Sequence, residues 1–262
     1  MNNHTPRYLT KTRMKIGLEC PKKLYYYDQY KEQDDDNKFL EILAEGGYQV
    51  GELAKYYYKF HYPNYHFVDI TSLEYNESLE STRDALQYEN VVIAEPAIVF
   101  DNFFIRVDVL VKNGKNIQLI EVKAKSFNSV DEHGFLNLKK SPITVRNEWR
   151  PYIADVAFQT YVTSSSFPDW SITPYLMLVN KNKKTNMDGL NQLFPIIKTE
   201  EKNGKTSLTV AVNKQKIISC KENIKDTVLQ AINVKSLVNS ILYEKKLQNK
   251  EFNDVLNKPL MK

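Results

Sequence analysis

Residues 106–125, RVDVLVKNGKNIQLIEVKAK, decide the fold of this chain. Two runs rich in β-branched residues (Ile105, Val107, Val109, Val111; then Ile117, Ile120, Val122) flank an Asn-Gly-containing turn, which predicts a β-hairpin. Side chains alternate faces along a strand, so Glu121 and Lys123 share one face and Ile120 and Val122 the other. If Asn113–Asn116 is a four-residue loop, Lys112 opposes Ile117 and Asp108 falls directly across from Glu121. A two-residue Asn113-Gly114 turn would pair Asp108 with Leu119 instead. Directly opposed side chains have Cβ atoms ~4.5–5.5 Å apart, and like charges placed there are destabilising. Two facing acids with a lysine one step on call for a cation, and Mg²⁺ commonly takes one or two carboxylates plus water and phosphate oxygens.

Downstream, residues 150–162 read as a helix with Pro151 suited to the first position. Tyr152, Asp155 and Gln159 recur on one face, with Ile153, Ala157 and Thr160 on a neighbouring stripe. Upstream, 91–100 (VVIAEPAIVF) is an apolar strand interrupted by Glu95. A carboxylate in such a run is costly unless paired or bound, although a bulge beside Pro96 would also accommodate it.

Asp108 followed by Glu121-Val122-Lys123 resembles the signature of the PD-(D/E)XK nuclease superfamily, with Val107 where a proline often stands. Gln159 and Tyr161 resemble the Q-x(n)-Y helix of its RecB-like branch, and Glu95 matches an acid found there on the preceding strand. Residues 8–26, YLTKTRMKIGLECPKKLYY, resemble the opening helix pair of RecB-like and CRISPR-associated exonuclease-like proteins and of an uncharacterised bacterial family with this domain. The resemblance covers residues 7–180. It implies a restriction-endonuclease-like α/β core, a central mixed sheet flanked by helices, with an N-terminal helical segment. It also implies a metal-dependent nuclease acting on DNA. Asp108, Glu121, the Val122 carbonyl and Glu95 would bind Mg²⁺ or Mn²⁺; Lys123 and Gln159 would act on the phosphate. Lys11, Arg13, Lys139, Lys140 and Tyr161 would contact nucleic acid.

Two departures from the family pattern matter. A [4Fe–4S] cluster needs four thiolates and the chain has only Cys20 and Cys220, so no iron–sulfur cluster is expected and Cys20 is expected to be buried. Gly51 stands where many relatives carry a metal-binding histidine, and His4, His61, His66 and His133 lack that helical context. The absent histidine favours a second reading, a nuclease-fold nucleic-acid-binding or scaffold protein without turnover. A third treats the acids as ordinary ion pairs on an interaction domain.

The remaining sequence sets outer bounds. The 262 residues are 42% hydrophobic with net charge +4, enough for one sizeable core and compatible with a nucleic-acid partner. The chain is expected to be one domain: helical to about 90, core over 91–181, accessory over 182–262. Two cysteines and no long apolar run predict a cytoplasmic protein with no membrane partner. Helices are expected from an Asp36 cap to Tyr58 along a Phe39, Leu43, Gly46, Val50 stripe, over 76–86 and over 233–247. Strands are expected near 91–100, 103–112, 117–125 and 172–179, with a hairpin around Asn203-Gly204. The stretch 126–147 shows no periodicity and is expected to be a long loop over the substrate.

Overall fold

The computed structural model describes residues 7–27, 38–131, 133–200 and 206–243. The Asp36 cap, the side chains of Phe39 and Leu43, the Asn203-Gly204 turn, His4 and residues 244–247 lie outside them.

The chain opens with α1 (Lys11–Glu19) and α2 (Pro21–Tyr26), followed by the long α3 (Lys38–His61). Strand β1 (His66–Asp69) and α4 (Tyr75–Ala85) lead into β2 (Asn90–Ala94), β3 (Ala97–Phe100), β4 (Phe103–Arg106), β5 (Val109–Asn113) and β6 (Asn116–Phe127). Then come β7 (Leu136–Asn137), β8 (Thr144–Val145), α5 (Arg150–Ser166) and β9 (Ser171–Asn180). The last part holds β10 (Ile196–Glu200), β11 (Thr206–Val210), α6 (Lys214–Ser219), α7 (Lys221–Lys225), β12 (Leu229–Asn233) and α8 (Lys235–Leu242).

Six strands form a central mixed sheet in the order β1-β2-β5-β6-β9-β12. Strands β1/β2 and β6/β9 run parallel, and the other three pairs antiparallel. Parallel neighbours cannot be joined by a tight turn, and α5 lies in the connection that carries β6 back to β9. Both faces are buried. Leu110, Ile117, Leu119 and Leu176 pack with Ile153, Val156 and Ala157 of α5 and Leu237 of α8. Val92, Val109, Val111, Ile120 and Met177 pack on the other face with Leu53, Ala54 and Tyr58 of α3 and Ile224 of α7. This α/β layering, helices on both faces of a mixed sheet, is the fold class expected. Among the described residues no helix is long and apolar enough to cross a membrane.

The 106–125 hairpin adopts the first of the two expected registers. Lys112 opposes Ile117 and Val109 opposes Ile120, which aligns Asp108 with Glu121. The turn tightens further, with Asn113 opposing Asn116 across Gly114 and Lys115. Gly114 has φ +56°, a left-handed backbone that favours glycine.

Several elements differ from the sequence expectation. The strands at 91–100 and 103–112 each break in two, giving one bent hairpin. Ala94 opposes Val109 and Ala97 opposes Arg106, so the register runs unbroken through the bend. At the bend the Glu95 N–H donates to the Asp108 carbonyl (3.1 Å) and the Val107 N–H to the Pro96 carbonyl (3.0 Å). Pro96 has no N–H to give a ladder, and Glu95 sits at φ +56°. The sheet also recruits β1 and β12 from outside 91–181. Within 126–147 a small β7–β8 hairpin forms, and Phe135, Leu136 and Trp149 bury themselves against the core. Cys20 is exposed rather than buried, because α1 and α2 bury none of their residues.

Candidate active site

The ladder between β5 and β6 ends at Val109 and Ile120, where the chain turns away toward β4. The Val122 N–H is met by a side chain: it donates to Asp108 Oδ2 at 2.6 Å. That bond fixes the Asp108 carboxylate at the bend, next to Glu121. Alternation along β6 places Glu121 and Lys123 on the α5 face, in line with Leu119 and Ile117. On α5, Asp155 and Gln159 are one turn apart and both fully buried. They form a polar stripe beside the apolar Ile153, Val156 and Ala157, so this helix is buried on both stripes.

Three acids and three lysines meet there. Glu121 has no exposed side-chain surface and accepts from Lys11 Nζ at 3.0 Å and Gln159 Nε2 at 2.7 Å. Lys123 Nζ lies in close contact with its other oxygen. Lys11 Nζ is also 3.6 Å from Asp108 Oδ1, so it bridges the two facing carboxylates. Asp155 Oδ2 is 2.7 Å from Lys15 Nζ and 3.5 Å from Lys123 Nζ. Asp155 Oδ1 and Gln159 Oε1 are buried without a hydrogen-bond partner.

Burial opposes charge on every member, and the outcome is set by neighbours. Burial and then the Glu121 charge push Asp108 up to about 7. Glu121 also feels burial, but Lys11, Lys123 and the bonds from Lys123 and Gln159 together hold it well below the usual carboxylate range. Burial raises Asp155, as does Glu121, against the pull of Lys123, Lys11 and Lys15. Burial alone would lower Lys11 and Lys123; Glu121 and Asp108 outweigh it and keep both ammoniums charged. The pair of facing acids is therefore asymmetric, with Glu121 ionised and Asp108 near the point of accepting a proton.

The donor set available to a metal is all oxygen: two carboxylates from adjacent strands, with unpartnered Asp155 and Gln159 oxygens alongside. Hard cations take such ligands, and Mg²⁺ needs few of them because it retains water. Among the described residues no three His, Cys, Asp or Glu side chains converge as a ready-made cage. The residues present fit an ion held by two carboxylates plus water.

The other sequence-derived candidates lie in different surroundings. Glu95 opposes Asp108 across the bend, and its charge reaches Asp108 and Lys11, but its ion-pair partners are Lys55 Nζ at 3.9 Å and Arg106 Nε at 3.8 Å rather than the lysines around Glu121. Lys55 also contacts Glu52 (2.8 Å) and Asp69 (3.3 Å). Lys11, expected to face nucleic acid, reaches inward to the acids. Arg13 donates to the Tyr8 carbonyl at 3.2 Å. Tyr161 is exposed and packs edge-on against Phe100 and Phe103, not against the acids. Lys139 and Lys140 are exposed between β7 and β8. Of the described histidines, His61 contacts the Tyr57 carbonyl and His66 stacks on Tyr88. Asp155 and Lys15 belong to the cluster as well, Lys15 turning inward from the basic run of residues 8–26 as Lys11 does. The spacing of Asp155 to Gln159 on one helix was the available signal for the first.

Comparison with protein families, with curated proteins and with solved structures finds no match for this chain.

Proposed function

We propose that this protein is a metal-dependent nuclease acting on DNA, with a restriction-endonuclease-like core of the PD-(D/E)XK type. The observation that carries the reading is the convergence of Asp108, Glu121 and Lys123 from adjacent strands in one buried cluster, with Gln159 donating to Glu121. Mg²⁺ or Mn²⁺ would be held by Asp108 and Glu121 with the Val122 carbonyl, and would lower the pKa of an attacking water while offsetting charge on the phosphate. Lys123, kept cationic by Glu121 and Asp108, stabilises negative charge that develops during attack and is too strongly held to serve as a base. Gln159 orients Glu121 through its N–H, leaving its own buried oxygen free to accept from water or substrate. Asp155 steadies Lys123 from the other side. Arg13, Lys139 and Lys140 supply salt-dependent backbone attraction.

The scaffold reading keeps one observation in its favour. Three acids matched by three lysines make a closed ion-pair network that needs no further cation.

A cleavage panel decides between them. Labelled single-stranded, duplex and branched DNA are incubated with the protein in Mn²⁺ and in Mg²⁺, with Asp108→Ala as control. The nuclease reading expects cleavage by the parent and none by the variant. Binding without cleavage in either ion would favour the scaffold.

A further inference from the structure

The bridging lysine comes from a half-buried helix at the edge of the molecule, resting on α5 and α2. Helix α1 buries none of its residues fully. Its start is positioned by Thr10, whose hydroxyl accepts from the Arg13 N–H, and by Leu9, which bonds to Asn102 and Phe104 beside β4. Beyond that entry point ion pairs tie it to the site: Lys11 to Glu121 and Asp108, and Lys15 to Asp155. The two lysines are four residues apart and so lie one above the other on a single helix face. The Lys11 side chain is about one-fifth exposed, at the mouth of the cluster, whereas Glu121 and Asp155 are sealed.

We propose that Lys11 and Lys15 form a built-in substitute for a divalent cation, and that an entering Mg²⁺ or Mn²⁺ exchanges with them, releasing α1 from the acids. The inference rests on the metal-site reading above and adds the exchange. Charge balance supports it. With all three acids ionised, as a bound cation requires, the three lysines already balance them, so adding a doubly charged ion without a departure would leave excess positive charge around the sealed Glu121 and Asp155, a costly state. When two ammoniums leave and one divalent ion enters, neutrality is restored. Geometry supports it as well: a single Nζ sits within 3.6 Å of both facing carboxylates, which is the place an ion shared by them must take. Lys123 is spared, because it grows from β6 itself and is held by Glu121 and Asp155 together. The released Lys11 then stands at the mouth of the site with a free ammonium and is placed to hold a phosphate oxygen of the substrate.

The test measures binding and not turnover. Mn²⁺ is titrated by calorimetry into the full chain and into Lys11→Met, and hydrogen exchange of residues 11–19 is followed in the parent with and without Mn²⁺. Loss of the competing charge should tighten Mn²⁺ binding by ~10-fold or more. In the parent, Mn²⁺ should speed amide exchange in α1 while slowing it in the 106–125 hairpin. Equal or weaker Mn²⁺ affinity in Lys11→Met, with α1 protection unchanged in the parent, would overturn the exchange and leave the metal site standing. No Mn²⁺ binding by either protein would overturn the metal site and the exchange with it. Should Lys11→Met fail to fold, the exchange measurement on the parent decides alone.

Discussion

Glu95 and Asp108 face each other across one bend in a hairpin, yet they belong to two different charge clusters. Asp108 joins Glu121, Asp155 and three lysines beneath α1. Glu95 joins Glu52, Asp69, Lys55 and Arg106, where the carboxylates of Glu95 and Asp69 keep about a third of their surface in water. Each cluster has three acids, so acid count does not distinguish them. Burial does. Glu121 and Asp155 are sealed from solvent, and their charges act on one another with little screening, whereas no carboxylate of the second cluster is sealed. Burial perturbs protonation in both, raising Asp108 and Glu95 alike, but only the first cluster contains fully sealed carboxylates, the setting that the proposed chemistry requires. The half-exposed one acts as a brace, with Arg106 donating to the Ile70 and Ser72 carbonyls and so tying the β1–α4 connection to the hairpin.

The contrast can be broken most sharply at Glu121. Glu121→Gln leaves Lys11 and Lys123 without their ionised partner in a buried site, and such removals typically cost ~3–5 kcal/mol. Thermal or urea unfolding in EDTA should show a loss of that size. A loss below that of an ordinary surface pair would mean the cluster is wetter than its burial indicates.

Asp108 should behave in the opposite sense. Its carboxyl is pushed up to about 7 from an ordinary value of 3.8, so the folded protein holds a proton that the unfolded chain has released. Stability of the parent therefore falls as pH rises through that window, relative to Asp108→Asn, which does not titrate. In EDTA the variant should match the parent near pH 4 and exceed it by ~2–4 kcal/mol above about pH 7. The same variant should lose the stabilisation that Mn²⁺ gives the parent. A gap that stays constant between pH 4 and 8 would contradict the asymmetric pair.

Smaller effects are expected in the second cluster. Lys55→Met leaves Glu52, Asp69 and Glu95 without their shared cation and should cost ~1–2 kcal/mol, less than Glu121→Gln because all three acids keep contact with water. A larger loss would erase the distinction drawn between the clusters. Glu95→Gly relieves a left-handed backbone at φ +56° and gives up two ion pairs near 4 Å, so stability should stay level or rise by about 1 kcal/mol. Its Mn²⁺-induced shift in melting temperature should equal the parent's; a reduced shift would restore Glu95 to the metal site.

The hairpin was legible because alternation and an Asn-Gly turn are local signals, but those signals left two registers open, and the turn through Gly114 and Lys115 is what aligns Asp108 with Glu121. The two edge strands, β1 and β12, were not legible. His66–Asp69 is four residues long and polar at both ends, and Leu229–Asn233 lacks a β-branched run, so each is a strand only because an edge of the sheet was open to it. The Glu95 position was half legible. An acid beside a proline signalled a break, but nothing in the one-dimensional pattern revealed that a left-handed residue would send its carboxylate toward Lys55. Lys11 lay in a basic run that reads as a solvated surface, and its inward reach depends on a contact 110 residues away along the chain.

The central claim is that the buried cluster performs chemistry and does not merely bind or brace. Its most direct test uses folded Lys123→Met beside the parent, measuring cleavage of labelled DNA in Mn²⁺ and DNA affinity at the same salt concentration. Lys123 is proposed to act on charge that exists only during reaction, so cleavage should be abolished while affinity stays within a few-fold. Cleavage by Lys123→Met at the parent's rate would contradict the assignment of this cluster as the active site.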